Sequence, residues 1–173
     1  MQVGFEKKLL ELGLSYSMDN GDFYTISSQT DSGNRINVHL IASSPSIKQK
    51  HGSKNGNETE AIGLFKFKQL ATETKPDFFI FALRIPFKIE PDFLIIPKEE
   101  LKRRVLNRNL RYNLSKKYEM VFWIMLDGSI YETTGISPEA EWYYLSCSDN
   151  GRMADNTDLD YTAFLNNWGL LNL

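Results

Sequence analysis

Residues 76–97 read PDFFIFALRIPFKIEPDFLIIP and contain two runs, DFFIFALRI and DFLIIP, that indicate the fold class. Both runs are apolar at almost every position. A strand with one solvent-facing side alternates apolar and polar residues, whereas a strand covered on both sides is apolar throughout. We therefore predict that residues 78–85 and 92–96 form adjacent, buried strands at the centre of a sheet that the first helix covers.

The residues on the amino-terminal side predict a helix followed by a hairpin. VGFEKKLLELG, at 3–13, carries an imperfect apolar stripe of helical spacing, and its last glycine is placed to end the helix. DFYTISSQ at 22–29 and RINVHLIAS at 35–43 are separated by turn-forming residues that include DSGN. These two segments are therefore predicted to be the strands of a hairpin.

A long polar segment follows the hairpin. SPSIKQKHGSKNGNETE, at 44–60, is rich in Gly, Ser, Asn and Lys, which is typical of a loop. The functional alternative is a lysine-bearing loop that closes over a polyanion. The segment lacks the residue order of a phosphate-binding loop, so no nucleotide cofactor is predicted. IGLFKFKQL, at 62–70, then predicts a half-exposed strand.

The carboxyl-terminal half predicts a helix, a hairpin and a short terminal helix. Residues 98–117 lack Gly and Pro and start directly after a proline, which favours a helix. MVFWIML and SIYETT flank Asp127-Gly128, a strong hairpin signal, and EWYYLSC adds a strand. DLDYTAFLNNWGLL, at 158–171, predicts the terminal helix. The fold class is α/β (α+β), a mixed central β-sheet flanked by helices, with an additional C-terminal β-hairpin and short helix.

Length and composition favour a single globular domain. At 173 residues and 42% hydrophobic content, the chain can bury a core of ordinary size. The lone Cys147 forms no internal disulfide, and with two histidines it makes no zinc site. The sequence shows no signal peptide and no apolar run of about 18 residues, so we expect a cytoplasmic protein without a membrane span.

Charge is unevenly distributed along the chain. The net charge is only -2, but residues 98–117 hold eight basic and two acidic side chains, and residues 118–173 hold one basic and nine acidic ones. We therefore divide the single domain, 1–173, into a core over 1–117 and an acidic extension over 118–173. The basic segment either binds phosphates or is neutralised by the acidic one.

The element order, together with PDFFIFAL followed by PDFLIIPKEEL, resembles the restriction-endonuclease-like, PD-(D/E)XK, nuclease fold over roughly residues 1–105. The resemblance implies a metal-dependent nuclease that acts on DNA with Mg²⁺, in a bacterial restriction or defence system. Such a site needs two carboxylates and a lysine that converge on the metal.

A literal copy of the nuclease motif lies at Pro91-Asp92 and Glu100-Leu101-Lys102. In a strand, residues two apart project to the same side, whereas on a helix they diverge by about 200 degrees. Because Glu100 and Lys102 fall in the predicted second helix, we expect no working site there. Glu99 and Glu100 are better explained as first-turn acids that the helix dipole favours.

The family places its E-x-K, or a Q-V-K variant, on the second hairpin strand, where this chain has Asn37-Val38-His39. Asp22 matches the family's first metal-binding aspartate, and Glu6 matches a helix-borne acid of some members. We expect Asp22, Asn37 and His39 to share one cleft, with Asp22 as metal ligand and His39 available as a general base. The alternative is that the asparagine and histidine are ordinary surface residues.

The sequence therefore predicts a restriction-endonuclease-like domain acting on DNA, whose catalytic motif is degenerate. The alternative is a non-catalytic binding or regulatory protein that recognises a macromolecular partner, and a homodimer is compatible with both. We expect weak, salt-sensitive DNA binding through the basic helix. Its candidate phosphate-binding residues are Lys102, Arg103, Arg104, Arg108, Arg111, Lys116 and Lys117.

Overall fold

The computed structural model describes residues 2–29, 33–42, 50–52, 59–68, 76–84, 88–107, 119–125, 128–132 and 158–173. The chain divides into two compact units that alternate along the sequence. The first unit is formed by Met1–Ser43, Thr72–Arg103 and Phe164–Leu173, and the second by Ser44–Ala71 and Arg104–Ala163. The domain boundary after residue 117 stays a prediction.

The described residues form two α-helices and nine β-strands, an α+β fold. The helices are α1 (Gln2–Glu11) and α2 (Lys98–Asn107), and neither is long and apolar enough to cross a membrane. The strands are β1 (Leu14–Asn20), β2 (Phe23–Ser28), β3 (Arg35–Ala42), β4 (Lys50–Gly52), β5 (Thr59–Lys68), β6 (Phe78–Leu83), β7 (Asp92–Pro97), β8 (Glu119–Met125) and β9 (Ile130–Glu132).

The first unit contains a mixed five-stranded sheet with the order β1-β2-β3-β6-β7. The neighbours β1-β2, β2-β3 and β6-β7 are antiparallel, and β3-β6 is parallel. The predicted hairpin is therefore confirmed as β2 and β3. Strand β1 was not predicted, because its sequence LSYSMDN is short and largely polar.

Strands β6 and β7 are adjacent and almost wholly buried, as predicted from their apolar runs. The prediction that both lie at the centre of the sheet was wrong for β7, which is the last strand in the order β1-β2-β3-β6-β7. Helix α1 covers one side of the sheet, with Phe5 and Leu9 fully buried against it. The helix ends as expected, since Gly13 adopts a φ of +70° just after its last turn. Gly4 permits a close approach, because a Cβ there would lie 3.1 Å from two ring carbons of Pro91.

The outer edge of β7 is covered by the chain's last residues, the C-terminal strap (Phe164–Leu173). Leu165 forms a β-bridge with Leu94, and the Asn166 amide donates to the Phe93 carbonyl at 2.7 Å. Trp168 packs against the Phe93 ring at 5.4 Å. An edge strand presents unpaired backbone groups that can pair with other chains. The strap occupies such groups at β7.

The second unit contains an antiparallel four-stranded sheet with the order β4-β5-β8-β9. The predicted hairpin is confirmed as β8 and β9, and Gly128 between them has a φ of +86°. The prediction of one central sheet was wrong for β5, which pairs with β8 and not with the buried strands. Alternating Lys and apolar residues in β5 indicated a strand but carried no information about its partner.

Three local predictions need correction or fall outside the described residues. The polar segment 44–60 is not wholly a loop, because it contains β4 and the start of β5. The terminal segment forms two short 3-10 turns, Thr162–Phe164 and Trp168–Leu171, because Asn166 adopts a φ of +49° that no α-helix tolerates. Helix α2 is described to Asn107, and the remainder of the predicted helix, with the EWYYLSC strand, lies outside the described residues.

Candidate functional site

Strands β1 to β3 have one side under α1 and one open side. Their register places Thr25 opposite Asn37 and Phe23 opposite His39. Directly opposed residues of an antiparallel pair project to the same side, so these four share the side away from α1. We call this side the open polar face. Its exposed or half-buried members are Ser15, Ser17, Asp19, Phe23, Thr25, Ser27, Arg35, Asn37 and His39.

A chain of hydrogen bonds crosses the open polar face. The Asp77 Oδ2 atom accepts from the Asn37 backbone amide at 2.8 Å and from Asn37 Nδ2 at 3.3 Å. The Thr25 hydroxyl lies 3.3 Å from Asn37 Oδ1 and 3.2 Å from Asp19 Oδ2, and its single proton serves one acceptor at a time. Asn37 therefore ties the start of β6 to β3.

His39 is half-buried in an aromatic group on the same face. Its ring stacks on Phe23 with centroids 4.2 Å apart and planes at 19°, and it lies 5.9 Å from the Phe79 ring. These contacts fix the orientation of the imidazole beside Asn37. Asn37 and His39 lie two positions apart in the paired part of β3, so they project to the same side, as the sequence predicted.

Glu6 lies on α1, and Asp22 is an exposed residue of the turn before β2. The Asp22 backbone carbonyl accepts from the Leu40 amide at 2.8 Å. The Tyr24 hydroxyl donates to Glu6 Oε1 at 3.3 Å beneath the helix. A cleft shared by Asp22, Asn37 and His39 stays a prediction.

The Tyr24 pair with Glu6 gives a pH-dependent stability that can be measured. Burial, followed by the Glu6 carboxylate, raises the pKa of Tyr24 from 10.0 to about 12. A folded-state pKa above the unfolded value favours the neutral phenol, so this stability is complete below pH 10 and is lost as the pH rises towards 12. We expect the urea midpoint of unfolding to fall less between pH 10 and about 12 in Tyr24→Phe than in the wild type.

Tyr16 also contributes to the loss of stability at alkaline pH. The pKa of Tyr16 is also raised, by burial and then by Glu6, so the Tyr24→Phe variant keeps a weaker alkaline dependence. An unchanged slope in Tyr24→Phe would contradict the predicted contribution of Tyr24.

The literal nuclease motif has other structural roles. Asp92 is 9% exposed and accepts from Lys88 Nζ at 2.6 Å and from Asn166 Nδ2 at 2.9 Å. Glu100 pairs with Arg103, and Lys102 pairs with Glu99, both within α2. The helical position of Glu100 and Lys102 confirms the prediction that their side chains do not converge as a strand-borne pair would.

The basic segment is described only over α2. Lys102 and Arg103 are about half exposed, and each is paired with a glutamate three residues earlier. Arg104 is 7% exposed, donates to the Asp160 carbonyl and lies 4.6 Å from the Tyr161 ring centroid. Its guanidinium supports the second unit, so Arg104 is a poor candidate for a phosphate contact. Arg108, Arg111, Lys116 and Lys117 lie outside the described residues.

Sequence reasoning missed the acidic residues that contact the site. Asp77 directly precedes β6, and β6 runs parallel to β3 with Val38 opposite Phe78. This register places Asp77 beside Asn37. The repeated Pro-Asp-Phe at 76–78 and 91–93 was an available signal, because each copy begins a buried strand. The tripeptide itself does not reveal which strand lies alongside.

The residues that the resemblance assigns to catalysis, Asn37 and His39, do not supply the ligands that Mg²⁺ prefers. Mg²⁺ prefers carboxylate and water oxygens, whereas these residues offer an amide and an imidazole. The Asn37 Nδ2 atom is hydrogen-bonded to Asp77, and its Oδ1 atom lies within hydrogen-bonding distance of the Thr25 hydroxyl. Among the described residues, no three His, Cys, Asp or Glu side chains form a metal-binding group.

Three comparisons with known proteins found no relative of this chain. No protein family, curated protein or solved structure matches the chain. The resemblance to the restriction-endonuclease-like fold therefore depends on the quoted residues and the element order alone.

Proposed function

We propose that this chain is a restriction-endonuclease-like domain that binds DNA and has lost metal-dependent cleavage. One observation carries the proposal. The β2-β3 register places Thr25 and Phe23 on the side of the sheet that bears Asn37 and His39. A cytoplasmic location and a role in bacterial restriction or defence belong to the same proposal and depend on the resemblance.

The loss of cleavage follows from the chemistry of the open polar face. Asn37 supplies no negative charge, and its amide is held between Asp77 and Thr25. His39 has an aromatic neighbour, Phe23, where a metal-binding carboxylate would be needed. The carboxylates on this face, Asp19 and Asp77, are engaged by the Thr25 and Asn37 side chains and are not left to hold the metal that activates water in this class of enzyme.

The DNA-binding part of the proposal is supported by the exposed cations of α2. Lys102 and Arg103 are each about half exposed, and ion pairs of side chains that reach solvent contribute little to stability. A phosphate can therefore replace Glu99 or Glu100 as their partner at small cost. The net positive charge of residues 98–117 favours the same polyanionic ligand.

The cleavage test uses supercoiled plasmid with Mg²⁺ or Mn²⁺, against the same mixture with chelator. We expect no metal-dependent nicking by the wild-type chain. Cleavage that stops with chelator and disappears in Asn37→Ala would contradict the proposal. A matched measurement uses the triple variant Thr25→Asp/Asn37→Glu/His39→Lys, which supplies the acidic pair and the lysine of an active site. In Mg²⁺ titration calorimetry this variant should bind metal, whereas the wild type should not.

The binding test is a salt titration of DNA affinity. We expect Lys102→Gln/Arg103→Gln to weaken binding and to reduce the slope of log affinity against log salt by about two, one for each lost phosphate contact. The control is Lys7→Gln/Lys8→Gln, which removes the same charge from α1. Arg104 is left intact because its loss would disturb folding. Equal effects of the two double variants, or no binding at low salt, would favour a protein partner instead.

A further inference from the structure

The two edges of the five-stranded sheet differ. At β7 the C-terminal strap bridges Leu94 and bonds the Phe93 backbone. At β1, no backbone hydrogen bond to the outer edge occurs within the described ranges, and Ser15, Ser17 and Met18 are exposed. The β1 sequence LSYSMDN contains no Lys, Arg or Pro, and its one charge, Asp19, and its bulge between Met18 and Asn20 follow the segment 14–18, which carries none of the features that usually protect an edge.

The outward-facing backbone groups of β1 can be assigned from the pairing. The Gly13 carbonyl accepts from the Gln29 amide, which continues the β1-β2 ladder. Residues of an antiparallel strand bond their neighbour alternately, so Ser15 and Ser17 bond β2. The amide and carbonyl groups of Leu14, Tyr16 and Met18 therefore point away from the sheet.

The exposed strand is complementary to a second copy of itself. Residues 14–18 read LSYSM, in which an apolar residue and a serine lie symmetrically on each side of Tyr16. Antiparallel pairing centred on Tyr16 places Leu14 opposite Met18 on the helix side and Ser15 opposite Ser17 on the other. In this pairing Leu14, Tyr16 and Met18, whose backbone amide and carbonyl groups point away from the sheet, lie opposite the same three residues of the second copy. No like charges are opposed in this segment.

Helix α1 adds apolar surface on the same flank. Gln2 Nε2 contacts Met18 Sδ at 3.2 Å and Glu6 Oε1 at 3.1 Å, so this side of the helix borders β1. Val3 and Leu10 lie three residues before and four residues after Glu6, which makes them its neighbours on the helix surface. Val3 is 78% exposed, Leu10 57% and Met18 51%.

We propose that the chain forms a two-fold symmetric homodimer by antiparallel pairing of β1 with β1 of a second copy, centred on Tyr16. The two five-stranded sheets become one continuous sheet. Val3, Leu10 and Met18 of each copy supply the apolar contacts that flank the paired strands. The same surface patch serves both copies, as two-fold interfaces require.

The test is the mass in solution, measured by sedimentation over a range of concentrations. We expect the wild type to reach twice the chain mass of 20.0 kDa. Met18→Lys should weaken the dimer by more than about tenfold, because symmetry introduces the charge twice at the paired edge. The control is Ile89→Lys, a matched change at a 102% exposed residue away from β1, which should leave the dimer intact.

A crosslinking measurement tests the register. In a Cys147→Ser background, Tyr16→Cys should form an intermolecular disulfide on mild oxidation, because hydrogen-bonded partners have Cα atoms about 5.5 Å apart. In this register Ser17 lies opposite Ser15 of the second copy and not opposite the second Ser17. Ser17→Cys should therefore crosslink far less. A wild type with the mass of one chain at every concentration overturns the proposal, as do an unchanged Met18→Lys dimer and equal crosslinking by the two cysteines.

Discussion

Phe5→Ala is expected to lower the free energy of unfolding by about 3–5 kcal/mol, the range for truncating a buried phenylalanine. Phe5 is 0% exposed, and its ring lies 5.1 Å from Tyr24, 5.7 Å from Phe93 and 6.1 Å from Trp168. The cavity would open where helix, sheet and C-terminal strap meet. Since typical domains are stable by about 5–15 kcal/mol, this single change removes a large share of the total.

Urea unfolding followed by tryptophan fluorescence measures this loss, because Trp168 is in contact with Phe5. The control is Ile89→Ala, which truncates a fully exposed apolar residue of the same unit and should change stability by less than about 0.5 kcal/mol. Similar losses for both variants would show that Phe5 is not the centre of this core.

Asn166→Gly is expected to cost about 2–4 kcal/mol by releasing the C-terminal strap. Asn166 Oδ1 accepts from the buried Phe93 amide at 2.9 Å, and its Nδ2 donates to Asp92. An unsatisfied buried amide costs about 1–3 kcal/mol, and a lost bond to a carboxylate adds to this. Glycine tolerates the φ of +49° at this position, so backbone strain does not contribute.

Asn172→Gly is the matched control for the strap. Asn172 has a φ of +48° and is exposed, so the same substitution there removes no comparable side-chain bond and should change stability by less than about 1 kcal/mol. Hydrogen exchange supplies a second measurement, since the Phe93 amide should exchange faster in Asn166→Gly alone. Unchanged protection of that amide would contradict the role of the strap in covering β7.

The apolar runs at 76–97 were sufficient to predict β6 and β7 as adjacent and buried, because covering a strand on both sides leaves no polar position. The stripe in α1 and its terminal glycine likewise predicted a helix, since periodicity and capping are local properties. Strand β1 was missed because LSYSMDN exposes its serines on one side and, of its three apolar residues, Met18 on the other. Alternation with serine is a weak signal in so short a segment.

The pattern at 37–39 was enough to predict that Asn37 and His39 share one side of β3, since residues two apart in a strand project together. What lies next to them depends on pairing between distant segments. The register of β2 against β3 put Thr25 and Phe23 beside them, and the parallel pairing of β6 brought in Asp77. A shift of one residue in pairing exchanges every side chain between the two sides of a sheet, and no local pattern around Asp22 specifies that register.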